Sequence, residues 1–143
     1  MASTRVEATV ADSDQERAAS FLRAVSRQTE IVVRSVSPAS EELAAAASTC
    51  QLLVNCTPTG MRHSATEDDT PIPPALIAPD VLVFDLVANP PETRLLTEAR
   101  QRGARTVSGM AMLVYQGAES FRLWTGLEPP LDVMRRAARR AVA

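Results

Sequence analysis

A chain of 143 residues with 45% apolar side chains is long enough to bury one sizeable core. Its net charge of −2, with three Phe, one Tyr and one Trp, supplies neither the field nor the stacking surface that nucleic acid binding needs. No apolar run approaches the ~18 residues of a membrane span and no charged-then-apolar leader opens the sequence, so a cytoplasmic protein with no membrane partner is expected.

All 15 basic residues are arginine, which excludes a phosphate-loop lysine, a Schiff-base lysine or a lysine general acid within this chain. Cys50, Cys56 and His63 are too few for a four-ligand zinc site, so no metal is expected. The two cysteines read as buried small apolar residues rather than as a disulfide.

In chain order, Arg5 to Ala11 alternates as a strand, and residues 12–25 form a helix with acids in its first turn and Ala18, Phe21, Leu22 and Val25 as its inner stripe. Glu30 to Val36 is a β-branched second strand. Residues 37–48 form a short helix, with Pro38 near its first position. Leu52 to Val54 is a short buried strand leading into Asn55-Cys56-Thr57-Pro58-Thr59-Gly60. The polar, proline-rich stretch from Met61 to Asp80 is unusual for a compact domain unless it is functional or holds a small helix, for which Pro74 to Ile77 is the candidate.

Val81 to Leu86 is the next strand, broken by Asn89-Pro90-Pro91. Thr93 to Arg102 is a helix stopped at Gly103, and Arg105 to Val107 is the last strand. The stretch from Ser108 to Gly126 then opens on a glycine and becomes a helix with Met110, Leu113, Val114, Phe121 and Trp124 on a broad apolar surface. Gly109 lets the backbone approach a ligand or turn sharply. A final helix starts near Pro130, and its paired arginines read as a solvated face. Strand and helix alternate throughout, which predicts one α/β domain over 1–143, with a parallel sheet and helices on both faces; its C-terminal helices occupy 111–143.

Ligands of open parallel sheets sit beyond the carboxyl ends of the strands. Those ends carry Asp12-Ser13-Asp14, Asn55 to Gly60, Leu86 to Asn89 and Ser108 to Met112. Asp12 and Asp14 suit either a ribose or the cap of the following helix. Asn55, Thr57 and Thr59 suit either a ribose or carboxamide, or their own loop. His63 reads as exposed rather than catalytic, and spacing alone makes Gln116 an ordinary surface glutamine or a polar contact in a site.

The segments LLVNCTPTGM, VFDLVANPPETRLLTEARQRGA and TVSGMAMLVYQGAESFRLWTG closely resemble the nucleotide-binding domain of shikimate dehydrogenases, with matching features from about Arg5 to Met134. The resemblance implies a Rossmann-like fold. It implies that Asn55-Cys56-Thr57 lies along the nicotinamide half of NAD or NADP. It also implies that backbone at Leu86 and Gly109 meets the nicotinamide ring, that Met112 lies close by, and that Gln116 contacts the substrate hydroxyls. DSDQERA stands where NADP-using members have a turn whose arginine holds the 2′-phosphate. Ser13 takes that arginine's place, and the turn looks like that of the NAD-preferring quinate/shikimate branch, with Asp12 on the ribose and Arg17 nearby. NAD is therefore favoured.

Three departures accompany these matches. No Gly-rich turn precedes Arg5, so the first Rossmann strand and the pyrophosphate-binding helix start are expected to be missing. The missing strand would be the central one, between the strands at Arg5 and Leu52. The family's catalytic lysine–aspartate pair and substrate domain are absent too, so no catalytic residue is assigned here. Ala88 stands where the family has a substrate-binding tyrosine. The expected function is thus the cofactor-binding portion of a shikimate or quinate/shikimate dehydrogenase, reducing 3-dehydroshikimate to shikimate and inactive alone. A non-catalytic nucleotide-binding module or a nonfunctional gene fragment is the alternative, and a homodimer or a missing N-terminal segment would complete the sheet.

Overall fold

The computed structural model describes residues 6–142, in two compact units, residues 1–49 and 50–143. The first unit holds strand β1 (Glu7–Ala11), helix α1 (Gln15–Gln28), strand β2 (Val32–Val36) and helix α2 (Glu41–Thr49). β1 and β2 run parallel in register from Glu7 opposite Val32 to Ala11 opposite Val36, with α1 as the crossover that parallel neighbours require. Arg5 of the expected first strand lies outside the described residues.

The Asp14 carboxylate caps α1 by accepting from the Arg17 backbone N–H at 3.0 Å. Ala18 is buried as expected, but Phe21, assigned to the inner stripe, is exposed. Helical period places Phe21 on that side, but period cannot say how far the partner layer extends. Pro38 lies in a turn ahead of α2 rather than inside it. The cap is Ser40, whose Oγ accepts from the Leu43 N–H at 3.2 Å. A residue before proline is steered from helical geometry, whereas Ser supplies the acceptor that the first turn lacks.

The second unit holds β3 (Leu52–Asn55), a 3-10 turn (Pro74–Leu76), β4 (Leu82–Asp85), α3 (Arg94–Gln101), β5 (Arg105–Ser108), α4 (Gly109–Thr125) and α5 (Leu131–Ala141). Its sheet is parallel with order β3-β4-β5. Register places Asn55, Asp85 and Ser108 side by side in one row at the carboxyl ends of the three strands. Ile77, Val81, Val83, Leu95, Leu96 and Ala99 make the buried centre. The molecule therefore carries parallel sheets flanked by helices.

Leu52 and Val54 are exposed, contrary to the reading of β3 as a buried strand. β3 is an edge strand, and among the described residues no strand pairs with it opposite β4. The sheet of the first unit likewise contains only β1 and β2.

The long connection from Met61 to Asp80 is held by arginines reaching back from α3. Arg94 Nη1 donates to the Asp68 carbonyl at 2.7 Å, and Arg102 donates to the carbonyls of Ile77 at 2.9 Å and Ala75 at 3.1 Å. Ile72 and Ile77 anchor it by burial. Neither arginine was legible as a loop anchor, because the contacts span 25 to 27 residues.

Candidate functional site

In the first unit the turn after β1 is organised by Asp12. Its carboxylate accepts two bonds from Arg17, from Nε at 2.8 Å and Nη2 at 2.6 Å, and a third from the Asp14 N–H at 2.9 Å. A fork-on-fork pair of this kind fixes the plane of the carboxylate as well as its charge. The Arg17 guanidinium, aided by the Asp14 N–H, lowers the Asp12 carboxyl from 3.8 to about 2. Asp14 is occupied as the α1 cap, and Ser13 is exposed between the two. The residues expected to choose the cofactor thus form one turn in which Asp12 is paired with Arg17 and Asp14 caps α1.

Because the folded-state pKa of Asp12 is depressed, the pair's contribution is fully present above the ordinary value of 3.8 and is lost as pH falls towards about 2. We expect the Asp12 carboxyl carbon to titrate near 2 by NMR in the intact chain and to return to the ordinary carboxylate range in Arg17→Gln. An unchanged midpoint in that variant would assign the shift to something other than Arg17.

In the second unit the row at the strand ends is a buried hydrogen-bond network centred on Asp85, which is 0% exposed. Asp85 Oδ1 accepts from Asn55 Nδ2 at 3.0 Å and from the Val87 N–H at 3.0 Å, while Oδ2 accepts from the Thr93 hydroxyl at 2.5 Å. Thr93 Oγ1 in turn accepts from the Leu96 N–H at 3.3 Å, so the same hydroxyl caps α3. Burying a carboxylate is tolerable only when its lone pairs are met by donors, and here three donors meet it. One side chain therefore ties the end of β3, the segment after β4 and the start of α3 together.

Asn55 Oδ1 accepts from the Thr57 N–H at 3.0 Å and the Thr57 hydroxyl at 2.7 Å, and Asn55 Nδ2 also donates to the Thr59 carbonyl at 3.2 Å. Of the two roles open to Asn55 and Thr57, tying down the loop is thus realised, and the exposed part of the segment is Cys56 to Pro58. Cys56 is exposed and Cys50 half-buried, which corrects their reading as buried residues. They flank β3, with which no strand other than β4 pairs among the described residues, and burial raises the Cys50 thiol pKa. His63 is exposed, as read.

Gly109 opens α4 against the end of β4. A Cβ there would lie 2.3 Å from the Leu86 carbonyl oxygen and 2.5 Å from that of Val87. The close approach expected of this glycine is therefore made to the chain's own backbone, which brings Leu86 and Gly109 together. Ser108 caps the helix by accepting from the Met110 N–H at 3.3 Å, and its hydroxyl donates to the Pro91 carbonyl at 2.9 Å. Met112 and Gln116 follow Gly109 at three and seven residues, on one face of α4. Both are exposed, and the Gln116 amide nitrogen donates to the Leu113 carbonyl at 3.1 Å. Gly126, at φ 70°, ends the helix in the left-handed conformation expected of it.

Sequence reading missed Asp85 and Thr93 as members of this site. A carboxylate inside the apolar strand VLVFD was the available signal for Asp85. A threonine directly ahead of a helical stretch was the signal for Thr93. Among the described residues no helix is long and apolar enough to cross a membrane.

Parallel strands linked by helical crossovers, with polar residues aligned at their carboxyl ends and a glycine-opened helix against one of them, define a Rossmann-like α/β protein. Residues 109–139 match the family model of the shikimate 5'-dehydrogenase C-terminal domain. The shikimate dehydrogenase (NADP(+)) of Methanopyrus kandleri is 41% identical over 132 residues, which cover 92% of this chain and 45% of that protein. Among solved structures, shikimate 5-dehydrogenase from Listeria monocytogenes, in complex with shikimate and NAD, superposes with a TM-score of 0.84 at 26% identity, over 92% of this chain and 47% of that one. Quinate dehydrogenase from Corynebacterium glutamicum, in complex with NAD, gives 0.78 at 32% identity, over 90% and 44%. Over nearly its whole length the chain is similar to shikimate dehydrogenases, and it spans less than half the length of these relatives.

Proposed function

We propose that this chain supplies the cofactor-binding portion, as one domain over 1–143, of an NAD(P)-dependent dehydrogenase acting on shikimate or quinate. The observation that carries the reading is the packing of Gly109 against the Leu86 and Val87 carbonyls, with Met112 and Gln116 further along the same face of α4. In this reading a flat nicotinamide ring lies beside that backbone, with Met112 against it and the Gln116 amide one turn beyond. The nicotinamide cofactor supplies the hydride chemistry when bound. Asn55, Asp85 and Thr93 hold the backbone that faces the ring. Gln116, able to donate and accept, orients the substrate hydroxyls.

For the cofactor, we propose NAD over NADP. Asp12 and Asp14 place two carboxylates in the turn after β1, and Asp12 would accept from the ribose hydroxyls and repel a 2′-phosphate. Arg17, the nearest cation, is held by Asp12 at 2.6 Å, and Ser13 carries no charge to replace it.

The test is a chimera in which this chain replaces the matching part of the Methanopyrus kandleri relative. We expect shikimate oxidation with a kcat/KM at least about tenfold higher for NAD than for NADP, a preference equivalent to ~1.4 kcal/mol. Equal use of the two would defeat the cofactor assignment. A folded chimera silent with both cofactors and with either shikimate or quinate would defeat the enzymatic reading, and nucleotide binding without turnover would leave a binding module in its place.

A further inference from the structure

Helices α4 and α5 enclose a cleft of about 290 Å³. Its apolar wall comes from Met110, Ala111 and Val114, of which Met110 and Val114 are buried and Ala111 is exposed. Positions 110, 111, 114 and 115 share one face of α4, and Met112 and Gln116 lie about 150° round the helix axis from its centre. The cleft therefore opens on the far side of α4 from the two side chains assigned to cofactor and substrate.

Its polar side is cationic. Arg135 and Arg139, one turn apart on α5, line it together with Tyr115. Arg135 is held in place: Nη2 donates to the Tyr115 hydroxyl at 2.7 Å, the guanidinium lies 5.4 Å above that ring, and Nη1 donates to Asp132 at 3.2 Å. Because the Tyr115 oxygen accepts from Arg135, its own O–H can donate to a further acceptor. Arg139 has no carboxylate within ion-pair distance among the described residues, and no carboxylate lines the cleft. The Ser108 hydroxyl, also at the cleft, is already used: it donates to the Pro91 carbonyl and accepts from the Met110 N–H.

We propose that this cleft binds a small aryl carboxylate, with the carboxylate on Arg139 and the Tyr115 hydroxyl and the ring on Met110, Ala111 and Val114. Charge selects the anion, since a guanidinium and a free O–H meet a carboxylate in charge-assisted bonds. The wall selects the body. A methionine thioether gains from an aromatic neighbour, and an arginine stacks on a ring plane. Volume sets the size, because ligand pockets begin at about 300 Å³, which suits one ring and a short tether. A polyhydroxylated acid such as shikimate is disfavoured here, because its hydroxyls would lose water against the apolar wall without gaining partners. The assignment stands on the cleft alone and does not depend on the dehydrogenase reading.

Tyr115 is the chain's one tyrosine, so its ring resonances report directly on the cleft. The experiment titrates the intact chain with hydrocinnamate to about 10 mM and follows those resonances by NMR. We expect a saturable shift with a Kd on the order of 1 mM, in keeping with so small a ligand. Hydrocinnamide, which lacks the charge, should bind at least about tenfold more weakly, and so should shikimate. Affinity for hydrocinnamate should also fall at least about tenfold in Arg139→Gln and in Ala111→Leu, whose added carbons occupy the cleft. Both positions are exposed, so neither change disturbs the fold. No shift over that range, an amide or shikimate that binds as tightly as the acid, or full affinity in either variant would overturn the assignment. A Tyr115 shift that grows with the concentration of the chain alone would overturn it in favour of contact between copies. A chimera silent with both cofactors leaves the cleft standing, and a Tyr115 ring that ignores hydrocinnamate leaves the enzymatic reading standing.

Discussion

Replacing Gly109 with alanine is expected to cost at least about 3 kcal/mol, the upper end of what overpacking usually costs. The added methyl would fall 2.3 Å from the Leu86 carbonyl oxygen and 2.5 Å from the carbonyl carbon behind it. Neither obstacle is a flexible side-chain tip that could swing aside. Both belong to backbone held by Asp85 through the Val87 N–H, so relief requires α4 to move away from β4. The φ of Gly109 is not in the left-handed region, so the penalty is one of packing and not of backbone conformation. Urea denaturation should show a lower midpoint with little change in slope. In the chimera the same substitution should lower cofactor-dependent turnover more than Gly117→Ala, because a Cβ at Gly117 meets only the flexible end of Met134 at 3.4 Å. Equal stability of the Gly109 and Gly117 variants would refute the packing argument.

Asp85→Ala is the second large effect. It removes the acceptor for Asn55 Nδ2, the Val87 N–H and the Thr93 hydroxyl in a place that water does not reach. Leaving buried donors unmet costs about 1–3 kcal/mol each when no partner can be found, and the Thr93 hydroxyl can turn to another acceptor. We expect a loss of about 3 kcal/mol in Asp85→Ala. The loss should be near 1 kcal/mol in Asp85→Asn, whose remaining oxygen still accepts from Asn55 and Val87 and whose amide can donate to Thr93 Oγ1. The order matters more than the size. If Asp85→Asn destabilised as much as Asp85→Ala, the charge and not the set of hydrogen bonds would be what the site requires. A double-mutant cycle between Asp85→Ala and Thr93→Val should show strong coupling, because the two oxygens meet at 2.5 Å.

Much of the local structure was legible in the residue order. The alternation of strands and helices, the acidic turn after β1, the 3-10 turn at Pro74 and the end of α4 at Gly126 all follow from spacing, caps and glycine. Family motifs added expectations at Leu86, Gly109, Met112 and Gln116 that spacing alone could not supply. The misses of burial share one cause. Leu52 and Val54 looked buried because an apolar strand reads alike in the middle of a sheet and at its edge. Phe21 looked like core for the same reason, since helical period gives a direction and not a partner. Pro38 was placed inside α2 because the propensity for a first-turn proline was weighed without the Ser40 hydroxyl that competes for the start.

What the order of residues determined here is a set of short-range preferences: which segments extend, which coil, where each begins, and the polar character of every strand end. Tertiary structure alone decided that Asn55, Asp85 and Ser108 stand in one row, because strand register joins positions 30 and 23 residues apart. It alone decided that Gly109 is required by the Leu86 and Val87 carbonyls, and that Arg94 and Arg102 hold a loop distant in the chain. The reason is physical. Local preferences act over one or two turns of backbone, whereas a buried carboxylate or a missing Cβ acquires its meaning from atoms that only the folded chain brings within van der Waals or hydrogen-bond reach.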